Sequence, residues 1–116
     1  MDEKLLLEKV DAYIKENERQ IVADIADLVA QPSVKGEAVS GAPGAPAAPG
    51  APAAPFGEGP RAALDAALGI AARMGFATND GDGYVGWAQL DGKQEEYLAT
   101  ITHVDNVPGG EGGDAD

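Results

Sequence analysis

Residues 41–55 contain nothing but glycine, alanine and proline, and within them Gly44-Ala45-Pro46-Ala47-Ala48-Pro49 recurs unchanged as residues 50–55. Prolines at near three-residue spacing favour extended polyproline II, a semi-rigid and solvated spacer with no side chains that can build a core. The wider Gly/Ala/Pro-rich loop, residues 35–59, buries little, so a chain of 116 residues has to find its apolar core in the two flanks. The foldable part is smaller than the length suggests. As a proline-rich ligand for a recognition domain the repeat lacks flanking Arg or Lys anchors.

The flanks carry clear local signals. Asp2 is placed to cap a helix over residues 2–31, in which Leu6, Val10, Tyr13, Ile14, Ile21, Ile25, Leu28 and Val29 recur at three- and four-residue spacing until Pro32 stops it. Asn17-Glu18-Arg19-Gln20 adds nothing apolar, leaving either one helix with a polar waist or two with a break. The stripe keeps no heptad register, which favours packing in a core over a coiled coil. Pro60 opens a second helix over residues 60–74, closed by Gly75. Three strands follow, at about 76–78, 84–90 and 96–103, with turns at Asn79-Asp80-Gly81-Asp82-Gly83 and Asp91-Gly92-Lys93. The fold class is therefore α/β, two helices followed by three strands.

Composition excludes several classes. Without cysteine there are no disulfides, thiolate metal sites or cysteine nucleophiles, which fits a reducing compartment. Residues 1–4 carry no basic leader, and Leu5-Leu6-Leu7 is too short to span a membrane, so a cytoplasmic protein without a membrane partner is expected. A formal charge of −12 and a pI near 4.2 argue against nucleic acid, whose phosphates need clustered Lys and Arg. Asp80-Gly81-Asp82-Gly83 begins like a calcium loop but puts Tyr84 at the fifth position and no glutamate at the twelfth.

The only histidine, His103, lies two residues before Asp105 at the end of the apolar segment 97–102. Residues two apart on a strand emerge on one face, so one imidazole nitrogen can ligate a divalent metal while the carboxylate holds the other. Pro108 and the glycines after it end the strand. Ligand sites of open α/β sheets lie at such carboxyl ends. Alone, a His-x-Asp pair is more often an ordinary solvated contact.

Three segments together resemble the zinc-dependent peptidase family M-twenty, and most closely its Xaa-His dipeptidase branch: Leu28-Val29-Ala30-Gln31-Pro32-Ser33-Val34, Pro55-Phe56-Gly57-Glu58-Gly59-Pro60-Arg61-Ala62-Ala63-Leu64-Asp65, and His103-Val104-Asp105-Asn106-Val107-Pro108. Carboxypeptidase G, acetylornithine deacetylase and succinyl-diaminopimelate desuccinylase belong to the same family. The resemblance implies the N-terminal, truncated part of a zinc-peptidase catalytic domain, with His103 as a ligand of one of two Zn2+ ions and Asp105 as the catalytic-site acid that orients it. It also implies hydrolysis of dipeptides or short peptides by a zinc-activated water. The family's remaining ligands, a bridging Asp, a Glu-Glu pair, another acid and a distant His, have no counterpart in this sequence. The chain on its own is expected to be inactive and to bind zinc weakly.

Two departures stand out. Relatives continue Gly-Asp-Gly-Trp where this chain has Gly110-Glu111-Gly112 and then Gly113-Asp114-Ala115-Asp116, so the last four residues read as a truncation or frameshift scar. They also pass directly from a Gly-Ala-Pro to the Phe-Gly-Glu-Gly-Pro segment, so residues 44–55 read as a tandem insertion in a surface loop. The competing reading from another class is a non-enzymatic interaction module, an amphipathic helix joined by the Ala-Pro spacer to a small acidic α/β unit. A non-functional remnant is the third.

Overall fold

The computed structural model describes residues 2–39 and 53–109. Most of the Ala-Pro repeat and the tail from residue 110 lie outside that range, so the spacer conformation and the reading of the tail do too. Helix α1 (Glu3–Val29) is continuous. Its start is fixed by the Asp2 carboxylate, which accepts from the Lys4 N–H at 3.1 Å. The polar waist does not break it, because its amides bond along the helix: Asn17 Nδ2 donates to the Tyr13 carbonyl at 2.8 Å and Gln20 Nε2 to Asp24 at 2.9 Å. At the far end Gln31 Nε2 donates to the Asp27 carbonyl at 3.0 Å, satisfying one of the acceptors that a helix terminus leaves over.

Helix α2 (Glu58–Arg73) begins two residues before the expected position, with Gly57 as its N-cap and Pro60 inside the first turn, where a missing N–H costs nothing. Its apolar face covers an antiparallel hairpin of β1 (Ala77–Gly81) and β2 (Val85–Gln89). The pairing Thr78↔Ala88 and Asp80↔Gly86 turns those residues toward α2, and Gly86 is the close approach: a methyl there would stand 2.8 Å from Leu64 Cδ1. Asp82 and Gly83, with φ of 57° and 78°, form the tight turn, closed by the Tyr84 N–H on the Gly81 carbonyl at 3.1 Å. Positive φ at both central residues matches the right-handed twist of a hairpin, which is why Asp-Gly is found there.

The core is built from small residues. Ala54, Ala63 and Ser33 are buried, joined by Pro55, Gly57, Pro60 and Gly83, and among the described residues no large side chain is fully buried. Gly59 shows how tight the junction is, since a Cβ there would lie 1.7 Å from the Pro32 carbonyl oxygen. The segment after α1 runs alongside residues 54–56, with Gly36 N donating to the Phe56 carbonyl at 2.7 Å and Val39 N to the Ala54 carbonyl at 3.0 Å.

Two expectations need correcting. The α1 stripe does not enter a core. Only Asn17, Ile21, Asp24 and Leu28, one contact line at three- and four-residue spacing, are partly covered on the side that meets α2, while Leu6, Val10, Tyr13 and Ile14 are exposed. The third strand, expected at 96–103, is not formed among the described residues: the sheet has two strands, and the later segment makes a single parallel bridge, Val34↔Asn106. An extended segment becomes a strand only when a neighbour takes its backbone donors and acceptors. No described element lies alongside residues 97–104 to do so. The first two strands also shift, to 77–81 and 85–89, because the turn is tighter than five residues and Asn79 and Asp80 join the ladder.

Candidate metal-ligand pair and a second charged cluster

The segment carrying His103 is tied down at both ends. Tyr97 Oη meets Gln89 Nε2 at 3.1 Å and donates to Asp91 Oδ1 at 3.3 Å, while the Asn106 N–H donates to the Ser33 carbonyl at 3.0 Å. The second tie brings residues 103–106 against the end of α1 and the start of α2. There they line an open depression of about 220 Å³ with Leu28, Val29, Ser33 and Ala63. That volume is below the range of pockets that enclose a whole small-molecule ligand, so this depression alone is part of a cleft.

His103 and Asp105 do meet. Nδ1 of the ring lies 3.2 Å from Asp105 Oδ1 and 3.1 Å from the Asp105 backbone carbonyl, with the two side chains 80% and 65% exposed. Both neighbours of Nδ1 are acceptors, so Nδ1 carries the proton, and in the neutral ring Nε2 keeps its lone pair. That tautomer is the one a cation ligand needs. A catalytic zinc centre takes about three protein ligands, and among the described residues no group of three or more His, Cys, Asp or Glu is arranged to hold a metal. The pair fits one ligand and its orienting acid; it does not fit a complete centre.

A second charged cluster escaped the sequence reading. The Arg61 side chain, only 10% exposed, donates to Asp65 one turn along α2, to Asp80 Oδ2 on β1 at 2.6 Å, and to the Ala53 carbonyl at 3.1 Å. One guanidinium thus ties helix, hairpin and loop together. Hydrogen bonding to Asp65, then to Asp80, raises the Arg61 pKa further above its already high value. Asp80 is held below its ordinary value of 3.8, first by Arg61 and then by the Gly83 N–H, which it accepts at 2.8 Å. The i, i+4 spacing of Arg61 and Asp65 is legible in the sequence. The link to Asp80 is not, because it exists only once the hairpin folds back. Across the helix pair, Arg73 bonds Asp24 at 2.5 Å, and together with Gln20 lowers the Asp24 pKa.

No protein-family model matches the chain. Among curated proteins it is similar to one from Staphylococcus haemolyticus that bears the name "Putative dipeptidase", 36% identical over 103 residues, or 89% of this chain. Proteins of the same name from Staphylococcus aureus strains USA300 and NCTC 8325 are 38% identical over 108 residues, or 93% of this chain. The chain spans about a fifth of the length of these curated relatives, 20% in each case. The match covers about nine-tenths of this chain, and the chain is similar to a piece of a peptidase.

Proposed function

We propose that this chain is the opening portion of a zinc-dependent dipeptidase of peptidase family M-twenty, acting on dipeptides or short peptides in the cytoplasm. The observation that carries the reading is the His103–Asp105 pair, 3.2 Å apart at the rim of a depression, in a chain 36–38% identical to proteins named for dipeptidase activity. His103 offers Nε2 as one ligand of a two-zinc centre. Asp105 holds Nδ1 and so fixes both the tautomer and the direction of the ring.

Zinc, when bound, supplies Lewis acidity at the scissile carbonyl and a more acidic water. The work of this chain's own residues is positional. The Asn106 N–H on the Ser33 carbonyl sets where the His103 segment crosses the helix ends, and Arg61 ties α2 to the hairpin. The general base and the other ligands come from the four-fifths of the relatives' length that this chain does not match, so the chain alone is inactive.

Zinc titration of the chain by calorimetry, with dipeptide hydrolysis measured in parallel, tests this. Weak one-site binding that disappears in His103→Ala and falls about 10- to 100-fold in Asp105→Ala is expected, with no turnover. Unchanged zinc binding in His103→Ala would remove the ligand role.

A further inference from the structure

Aspartate followed by glycine occurs three times in the chain, at Asp80-Gly81, Asp82-Gly83 and Asp91-Gly92. Such a pair is prone to spontaneous rearrangement, because a glycine, lacking Cβ, lets its own amide nitrogen swing back onto the preceding side-chain carboxyl. The reaction needs that amide free of other bonds and room for the main chain to turn. The fold treats the three pairs differently.

Two of them lie in the hairpin and are locked. Gly81 is paired with Val85 in the ladder, and the Asp80 carboxylate is held by Arg61 at 2.6 Å and by the Gly83 N–H at 2.8 Å. That second bond also occupies the amide that would have to attack Asp82. Gly83 has no room to move either, since a Cβ on it would stand 2.3 Å from the Ala53 carbonyl oxygen.

Asp91-Gly92, just after β2, carries none of these restraints. Among the described residues the Gly92 N–H makes no backbone hydrogen bond, and no atom beyond the adjoining residues lies within 4 Å of where its Cβ would be. The Asp91 carboxyl is meanwhile held by Gln89 Nε2 at 2.6 Å and Tyr97 Oη at 3.3 Å, contacts local to residues 89–97.

We propose that Asp91-Gly92 is a spontaneous modification site, at which Asp91 isomerises to isoaspartate. The Gly92 amide nitrogen gives its proton to solvent and bonds to Asp91 Cγ, while one carboxyl oxygen leaves as water. Water then opens the five-membered imide at either carbonyl, returning aspartate or leaving the main chain running through the former side-chain carboxyl. One water is released and one taken up, so no other reagent is needed. In the product the main chain is longer by a carbon atom and the pendant carboxyl shorter by one. Tyr97 then loses its bond to Asp91, and the segment that bears His103 loses part of its upstream tie.

Incubating the chain at neutral pH and body temperature tests this. Trypsin, cutting after Arg73 and Lys93, releases all three pairs in the single peptide 74–93, where electron-transfer fragmentation locates isoaspartate residue by residue. An amide that must first give up a hydrogen bond reacts about tenfold more slowly, so in the folded chain isoaspartate is expected about tenfold faster at Asp91 than at Asp80 or Asp82. In concentrated urea, where the restraints are gone, the three rates should converge. Gly92→Ala, whose methyl hinders the same turn without meeting a described neighbour, should suppress the change at Asp91 and leave the helical circular dichroism unaltered. Equal rates in the folded chain would overturn the proposal. So would a preference for Asp91 that persists undiminished in urea, which would assign it to the neighbouring sequence and not to the fold.

Discussion

Arg61 decides more of the arrangement than any other residue. Its side chain is nearly buried, and one planar cation satisfies two carboxylates and a carbonyl from three different parts of the chain. Replacing it with methionine keeps the stem and removes the charge, leaving Asp80 without its main partner. Because Asp65 and Asp80 are both partly in solvent, screening limits the loss to about 1–2 kcal/mol, read by urea unfolding. The acid dependence has a definite sign. Asp80 titrates below 3.8 in the folded chain, so the unfolded chain binds the proton first; the stability is present above about pH 4 and is lost as pH falls through the folded value. In Asp80→Asn that part of the acid transition should vanish from a pH series of unfolding curves. The His103–Asp105 contact was legible because spacing by two sets side chains together within one segment; the Arg61 contact to Asp80 spans a folded hairpin and leaves no such mark.

Elements with local punctuation came through the sequence well. The Asp2 cap, Pro32, the proline and glycines at the head of α2, Gly75 and the Asp-Gly turn each act within a few residues, and each marks a boundary to within about two residues. The expected strand at 96–103 failed for the opposite reason, since its pattern was right but a strand also needs a neighbour. Gly59 carries the tightest contact between elements. Gly59→Ala would drive a methyl into the Pro32 carbonyl, and the junction between α1 and α2 has to open by more than an ångström; a loss of about 1–3 kcal/mol in thermal unfolding is expected. The repeat predicts the reverse. Deleting residues 44–55 leaves Ala42-Pro43 directly before Phe56, in the register where Ala54-Pro55 now packs, so the buried contacts can re-form. Loop closure depends only on the logarithm of length, and unfolding should shift by less than about 0.6 kcal/mol. A large loss of stability on that deletion would mean that the repeat is more than an inserted loop.

At the scale of the whole molecule, too little apolar surface is covered. Leu6, Val10, Tyr13, Ile14, Val85, Trp87, Leu98 and Ile101 are all exposed, and among the described residues the buried set is alanine, glycine, proline and one serine. Exposed apolar area on this scale marks surfaces that meet other polypeptide. No helix among the described residues is long and apolar enough to cross a membrane. The chain should therefore bind the dye ANS in plain buffer and unfold in urea with a slope under about 1 kcal/mol/M, below that of ordinary small domains. The sequence pattern identified which residues are apolar; it could not show how many of them this chain by itself can cover, because that depends on partners outside any local window.

Among the described residues, helix α1 meets the rest of the chain only along its C-terminal half, from Asn17 to Leu28, with Asp24 clasped by Arg73. The preceding turns overhang like a beam fixed at one end. Thermal motion should grow steadily toward the amino terminus, peeling away hydrogen bonds there long before the clasped end lets go.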